Sequence, residues 1–520
     1  MNMAYRSYPL RTIWWSLGIA AMLITSIGLP PAQVSAEGPA DPAPSITPSV
    51  PNGKKILFDN THAQTSGAAD WVIDGAFSDF ANGLASAGYY VKELRKSTPI
   101  TLADLNGYDV FILPEANIPY KTSEQSALLS YVQSGGSLFF ISDHYNADRN
   151  KNRWDASEVF NGYRRGAWSN PALGMSSEEA GSGAMSGVAS SDWLAANFGV
   201  RFRYNAIGDV TANTVVTPAQ TFNITSGVSS VAVHAGSTLA ITNPAKAKGI
   251  VYLPATSAAW ANAVDQGVYN GGGVAEGPYV AIAKVGAGKA GFIGDSSPVE
   301  DATPKYKREE TGGTKTTYDG YEEADDATLL LNLVNWLAVQ ESYTSLSAVS
   351  GLTLDTATAL FSWETPASSA EPQPEPWAAP ASGYKWYDPS TFKTGSYGAA
   401  VTPGPFTFIH QTTLPNQYEF SVQVIVTGLA AGQTTSGYSL GVYTSSGTQV
   451  AKVRNSDGSW PSAYGYSSSF ALTANAGGVA SKVLTVKLNP SVTGAASMRL
   501  RLNSTAKYTE AVTIGNVPVE

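Results

Sequence analysis

Tyr131-Val132-Gln133-Ser134-Gly135-Gly136-Ser137-Leu138-Phe139-Phe140-Ile141-Ser142-Asp143-His144 is the stretch on which the fold turns. Its first residues close a helical apolar spacing over 123–133, the glycine pair makes a turn, and 137–142 is a short apolar strand that ends in polar residues. Helix, tight turn and buried strand form half of a βαβ unit. Outward from it, strands are expected at 54–58, 89–94 and 108–113, and a helix over 70–87 with Trp71, Phe77, Phe80 and Leu84 on one face. This alternation predicts an α/β fold with a parallel sheet and helices on both faces.

Past His144 the pattern loosens to about residue 245, an expected insertion after the fourth strand. The core resumes at 249–253, followed by a hairpin with arms at 279–285 and 289–294 around Gly286-Ala287-Gly288. A helix over 325–338 carrying Leu329, Leu330, Leu333, Val334 and Trp336 closes a first domain spanning 54–338. Residues 339–385 contain Glu371-Pro372-Gln373-Pro374-Glu375-Pro376 and predict a stiff linker. From 386 to 520, short runs rich in β-branched and aromatic residues predict an all-β sandwich.

Composition bounds the chemistry. The chain has 520 residues, 43% hydrophobic and 14% charged, and no Cys, which excludes disulfides, Cys-ligated zinc or iron–sulfur centres and a Cys nucleophile. Its net charge of -9 argues against coating nucleic acid or anionic membrane through overall charge. Arg6 and Arg11, the apolar run 13–29, Pro30-Pro31 and Val34-Ser35-Ala36 have the pattern of a secretory signal peptide over 1–36, with a linker at 37–53. The mature chain is expected to be secreted, extracellular or at the cell surface, with no membrane span and no lipid anchor.

In an open parallel sheet the informative residues lie just past each strand. Here these are Asp59 and His62, Glu115 and Asn117, Asp143, His144 and Asn146, and Asp295. Capping explains any one of them; carboxylates after several strands, joined by two of the four His in the chain, point to a site. Asp59, Asp143, His144 and Asp295 could ligate a divalent metal (Ca, Mg, Mn or Zn), or Asp and His could act as an acid/base pair without one. No nucleotide or flavin is expected: Gly286-Ala287-Gly288-Lys289 joins two strands and opens no helix. Asn146-Ala147-Asp148-Arg149-Asn150 opens like a calcium loop but lacks the glycine and the final Glu in register.

Arg149, Lys151, Arg153, Arg164 and Arg165 follow the Asp143-His144 pair, and Lys305, Lys307 and Arg308 follow Asp295. They suit an anionic substrate, with Arg149, Arg153 and Asn146 as its binding residues; internal pairing with nearby acids is the plainer alternative. Trp386, Tyr387, Tyr397, Trp460, Tyr464 and Tyr466 could form a glycan-stacking platform or fill a core.

The first domain resembles the class I glutamine amidotransferase-like superfamily in its flavodoxin-like form. The likeness rests on 54–58 with His62, the 108–113 strand, the stretch 131–138, and Gly291-Phe292-Ile293-Gly294-Asp295-Ser296. The segment 132–144 is similar to trehalose-utilisation-type members, and the Gly-Asp-Ser segment to gliding-motility and intraflagellar-transport relatives. The resemblance implies a nucleophilic elbow after the fourth strand, where this chain has Ser142 or Asp143 and no Cys, so glutamine hydrolysis by that route is closed. The expected function is a secreted hydrolase, metal-assisted, acting on an extracellular anionic polymer, with a phosphodiester narrowly ahead of an acidic polysaccharide. His62, Glu115, Asp143 and His144 are its catalytic candidates. The rival is a non-catalytic surface or matrix glycan-binding protein, and a cell-wall glycan is the partner expected for the C-terminal domain.

Overall fold

A computed structural model describes residues 37–371, 377–399 and 405–519. The chain divides into a first unit over 35–402 and a second over 403–520. The expected signal peptide lies outside the described residues, and among these no helix is long and apolar enough to cross a membrane.

The first unit is built on β1 (Ser45–Ile46), β2 (Lys55–Asp59), α1 (Ser78–Ser86), β3 (Tyr90–Leu94), β4 (Val110–Leu113), α2 (Thr122–Gln133), β5 (Ser137–Ile141), α3 (Ala156–Asn161), α4 (Trp193–Phe198), β6 (Thr214–Val215), β7 (Ala247–Tyr252), β8 (Val280–Val285), β9 (Gly288–Ile293) and α5 (Asp326–Leu337). One nine-stranded mixed sheet has the order β1-β3-β2-β4-β5-β9-β8-β7-β6. The block β3-β2-β4-β5-β9 is parallel; β1 and β8-β7-β6 run antiparallel on its flanks. The sheet is therefore not wholly parallel, because the tight turn at Gly286-Ala287 reverses the chain and leaves β8 no parallel option.

Successive strand residues alternate between two apolar clusters. Ile56, Phe58, Ile112, Phe139, Ile141 and Ile293 pack with Phe80 and Leu84 of α1 and Leu329, Leu330 and Leu333 of α5. Leu57, Phe111, Leu138, Phe140 and Phe292 pack with Leu128 and Val132 of α2, Phe160 of α3 and Phe198 of α4. Phe140 and Phe292 stack at 5.2 Å between ring centroids. The loosely patterned stretch after β5 thus supplies core to one sheet face.

Gly288 starts β9 where the hairpin meets the end of α2; a Cβ there would lie 2.1 Å from the Gly136 carbonyl oxygen and 2.2 Å from that of Val132. Gly288→Ala is expected to cost about 2 kcal/mol, within the range of overpacking, as read by thermal unfolding. A cost below about 0.5 kcal/mol would mean that this approach is not tight.

Two expected linkers are structured. Residues 37–53 are no free spacer: Ser45–Ile46 pairs with β3, covering its open edge, and Glu37 forms ion pairs with Arg95 (2.9 Å) and Lys305 (2.8 Å). The described part of 339–385 also packs on the first unit. Leu346 N–H donates to the Ala245 carbonyl, Asp355 pairs with Lys248 at 2.8 Å, and Glu364 pairs with buried Arg203 at 2.6 Å. The domain boundary accordingly moves from 386 to about 403, and Trp386 joins Met185 and Tyr384 in a first-unit cluster.

The second unit is β-rich: β10 (Phe406–Ile409), β11 (Thr413–Pro415), β12 (Phe420–Val426), β13 (Thr434–Thr444), β14 (Ala451–Val453), β15 (Phe470–Thr473), β16 (Ala480–Leu488), β17 (Gly494–Leu502) and β18 (Thr505–Gly515). Two sheets, β10-β12-β16-β14 and β11-β18-β17-β13-β15, contribute alternate residues such as Val422, Val424, Val486, Leu440, Met498 and Leu500 to one apolar cluster.

Candidate functional site

The carboxyl ends of β2, β4, β5 and β9 place the candidate residues along one rim, where two separate polar networks form.

The first network is closed. Asp59, at the end of β2, accepts hydrogen bonds from Thr61, Gln64 and the Tyr120 hydroxyl. His62 Nδ1 lies 3.0 Å from Asp59 Oδ2, its Nε2 lies 3.4 Å from Glu124 Oε1, and its ring stacks 3.9 Å from that of Tyr120. Burial alone would push the imidazole pKa down; the charges of Asp59 and then Glu124 outweigh it and raise it to about 9. Burial likewise opposes ionisation of Glu124, but His62 holds its pKa down to about 2. His62 is a buried imidazolium held on both nitrogens. It does not join Asp143 and His144, and the general-acid role expected of it lacks the geometry.

The second network centres on Arg149. Its Nε donates to Glu115 Oε1 at 2.8 Å and its Nη2 to Asp143 Oδ2, and its guanidinium lies 5.0 Å from the centre of the Trp71 ring. The Ser296 hydroxyl reaches Asp143 Oδ2 (3.4 Å) and Glu300 Oε1 (2.7 Å), and Trp71 Nε1–H donates to the same Glu300 oxygen. Burial pushes the Glu115 carboxyl well up against the pull of Arg149, and Glu115 Oε2 has no hydrogen-bond partner. Asp295 is fully buried and its pKa is also raised, first by burial and then by the charge of Asp143. Its oxygens face the N–H groups of His234 (2.7 Å) and Ser297 (2.9 Å).

His144 follows Asp143 at the β5 elbow. Its Nδ1 lies 2.8 Å from the Tyr145 carbonyl, which can only accept, so Nδ1–H donates there and Nε2 is the nitrogen left to act as an acceptor. Nε2 is 4.0 Å from Asp143 Oδ1, and Trp260 covers the ring at 4.2 Å. The loop that follows is strained, with positive φ at Asn146 (70°), Asp148 (35°), Lys151 (65°) and Arg153 (71°). It is held by its own carboxylates. Asp155 accepts from the N–H groups of Asn146 (2.7 Å) and Asp148 (2.5 Å), and Asp148 from that of Arg153 (2.9 Å). Asn150 and Asn152 tie the loop to the Asn117 carbonyl at the end of β4.

Several expectations are corrected by this geometry. Arg149 and Arg153 are not open substrate clamps: Arg149 is bound as above, and Arg153 pairs with Glu179 (3.3 Å) and stacks on Trp377 (3.9 Å). Arg164, Arg165 and Lys305 are paired with Glu371, Asp265 and Asp74. Asn146 lines a small recess with Tyr145, Asp148, Asp155 and Trp377, and its backbone N–H donates to Asp155. The four expected metal ligands do not form a centre. Asp59 is turned onto Thr61, His62, Gln64 and Tyr120, Asp295 onto backbone N–H groups, and only Asp143 and His144 face each other. Among the described residues no group of three or more His, Asp or Glu is arranged to hold a metal ion.

Sequence reading missed Glu124, Tyr120, Trp71, Trp260 and Glu300. Glu124 carries a signal, as a carboxylate in the first turn of α2, but that signal reads as capping. The others carry none.

No family model matches the chain, and no curated protein does. Among solved structures, it is similar to the mmIFT52 N-terminal domain at 12% identity and a TM-score of 0.34, over 55% of this chain and 99% of that one. A structure titled "Putative Lipoprotein from Bacillus anthracis" is similar at 11% identity and a TM-score of 0.16, over 21% of this chain and 72% of that one. Neither likeness bears on function.

Proposed function

We propose that the first unit is a hydrolase of an extracellular polymer, with His144 as general base and Asp143 beside it as the carboxylate that stabilises the protonated ring. The observation that supports this is the fixed tautomer of His144: Nδ1–H engaged on Tyr145, Nε2 left as acceptor at 4.0 Å from Asp143, under Trp260. Arg149 pairs with Asp143, and the strained loop on Asp155 fixes the pair in place. Secretion, and the amidotransferase-like form of the sheet with its elbow at Ser142–Asp143, belong to the same reading.

A polysaccharide is favoured over a phosphodiester, because the arginines that would grip phosphate are engaged by Glu115, Asp143 and Glu179. The expected result is hydrolysis of a polysaccharide, measured as released reducing ends, that falls at least about a hundredfold in His144→Ala and in Asp143→Asn. DNA and RNA are assayed beside it, each with and without chelator. Inertness of the unaltered protein on all of them, or full activity of His144→Ala, overturns the proposal. The non-catalytic rival draws on the depth of the pair, each residue only 5% exposed, and wins if the protein binds glycan without cleaving it.

A further inference from the structure

We infer that the second unit carries a binding surface for an acidic polysaccharide bearing carboxylates, a uronate polymer. The argument begins with charge. In a chain of net charge -9, residues 405–519 contain seven Lys and Arg against three Asp and Glu. Among the described residues the unit's one ion pair is His410–Glu510 at 3.0 Å, and Asp457 is turned onto Ser459. Among the described residues none of the seven cations has a carboxylate partner; Lys452 Nζ donates to the Ser462 carbonyl and Arg499 Nε to the Thr509 hydroxyl.

Six of the seven lie near aromatic ring faces. Lys452 and Lys487 are directly opposite each other on β14 and β16, with Ala451, Val453, Val486 and Leu488 pointing into the core, so both point outward. Two like charges side by side repel unless something anionic lies across them. Trp460 and Tyr464 cover this pair, with Lys487 Nζ 4.2 Å from the Trp460 ring centre and Lys452 Nζ 5.0 Å from that of Tyr464. On the other sheet Arg499 and Arg501 project outward from β17, beside buried Met498 and Leu500. They lie 4.6 Å from the centre of Tyr443 and 3.6 Å from that of Tyr466.

One segment joins the two patches. Residues 454–467 carry Trp460 and Tyr464 to the outer side of β14 and β16, and Tyr466 to Gly441 of β13, where a Cβ would come within 2.9 Å of its ring. The result is a strip in two patches of cations and rings, one on the outward face of each sheet, joined by this segment, with Tyr443 of β13 bridging to Gln449 just before β14.

The occupant follows from what the strip offers. Four outward cations without carboxylate partners call for repeated negative charge, and the intervening rings for an apolar face between the charges. A uronate sugar supplies both, a carboxylate and a face of C–H groups. Single-stranded nucleic acid, which also carries repeated negative charge and stacking faces, is the competing occupant that the oligothymidylate arm of the test measures. The surface stands whether or not the first unit hydrolyses anything.

The test uses the full chain with polygalacturonate, neutral dextran and oligothymidylate as probes, with dissociation constants measured by calorimetry. Polygalacturonate is expected to bind, and more weakly as salt rises, with dextran silent and oligothymidylate weaker. Arg499→Gln/Arg501→Gln and Lys452→Gln/Lys487→Gln each weaken it about tenfold while thermal unfolding is unchanged. His144→Ala binds like the unaltered protein, which separates this surface from the proposed hydrolytic site. Absence of polygalacturonate binding, binding that neither double variant alters, or tighter binding of oligothymidylate overturns the inference.

Discussion

Replacing Arg149 by methionine is expected to destabilise the first unit by about 4 kcal/mol at neutral pH, because the side chain that compensates Glu115 and Asp143 is gone while both carboxylates stay buried. Methionine follows the aliphatic stem of the arginine, so most of the loss reports charge rather than volume. The pH dependence has a definite sign. Burial already raises the Glu115 pKa, and without the guanidinium the folded state binds a proton on Glu115 at a pH where the unfolded chain does not. The penalty therefore shrinks as pH falls toward about 4, the ordinary carboxylate range. Urea unfolding followed by tryptophan fluorescence measures it, a signal dominated by the first unit because only Trp460 lies within 405–519. Recovery of part of the loss in Glu115→Gln/Arg149→Met is the second expectation. A loss below about 1 kcal/mol would show that the cluster is already relaxed or hydrated.

His62→Gln has the other large effect, and its signature is a slope. The folded imidazole has a pKa raised to about 9 against about 6.5 unfolded, so its contribution is fully present below pH 6.5 and is lost as pH rises through 9. Across that window the unaltered protein should lose about 3 kcal/mol relative to His62→Gln. On the acid side Glu124, with its pKa held down to about 2, adds stability that is lost as pH falls from the ordinary carboxylate value toward 2. Unfolding free energies measured from pH 3 to 10 check both limbs. Parallel curves for the two proteins between pH 6.5 and 9 would mean that His62 is neutral in the fold.

These effects concern residues whose types were visible in the chain and whose partners were not. The apolar runs at β2, β4, β5 and β9, and the Gly135-Gly136 and Gly286-Ala287 turns, are local patterns, and the mixed sheet follows their order closely. His62 and Glu124, by contrast, are 62 positions apart, and Arg149 and Glu115 are 34 apart. Nothing in the spacing of either pair distinguishes a salt bridge from two solvated side chains. The same gap misled the reading of 339–385: the proline run that begins after Glu371 reads as a spacer, yet Asp355 and Glu364 lie against Lys248 and Arg203.

Periodicity, turn chemistry and the absence of Cys are properties of neighbouring residues or of composition. They were enough to place β2 to β5 and β7 to β9 along the chain, to expect a β-rich C-terminal unit, and to exclude any thiol nucleophile. Whether an arginine clamps a substrate or an internal carboxylate, whether His62 is an acid or a locked cation, and where one unit ends depend on which distant segments chain folding brings together. Charge type is written in the residue, but its partner and its burial arise only when the loops close.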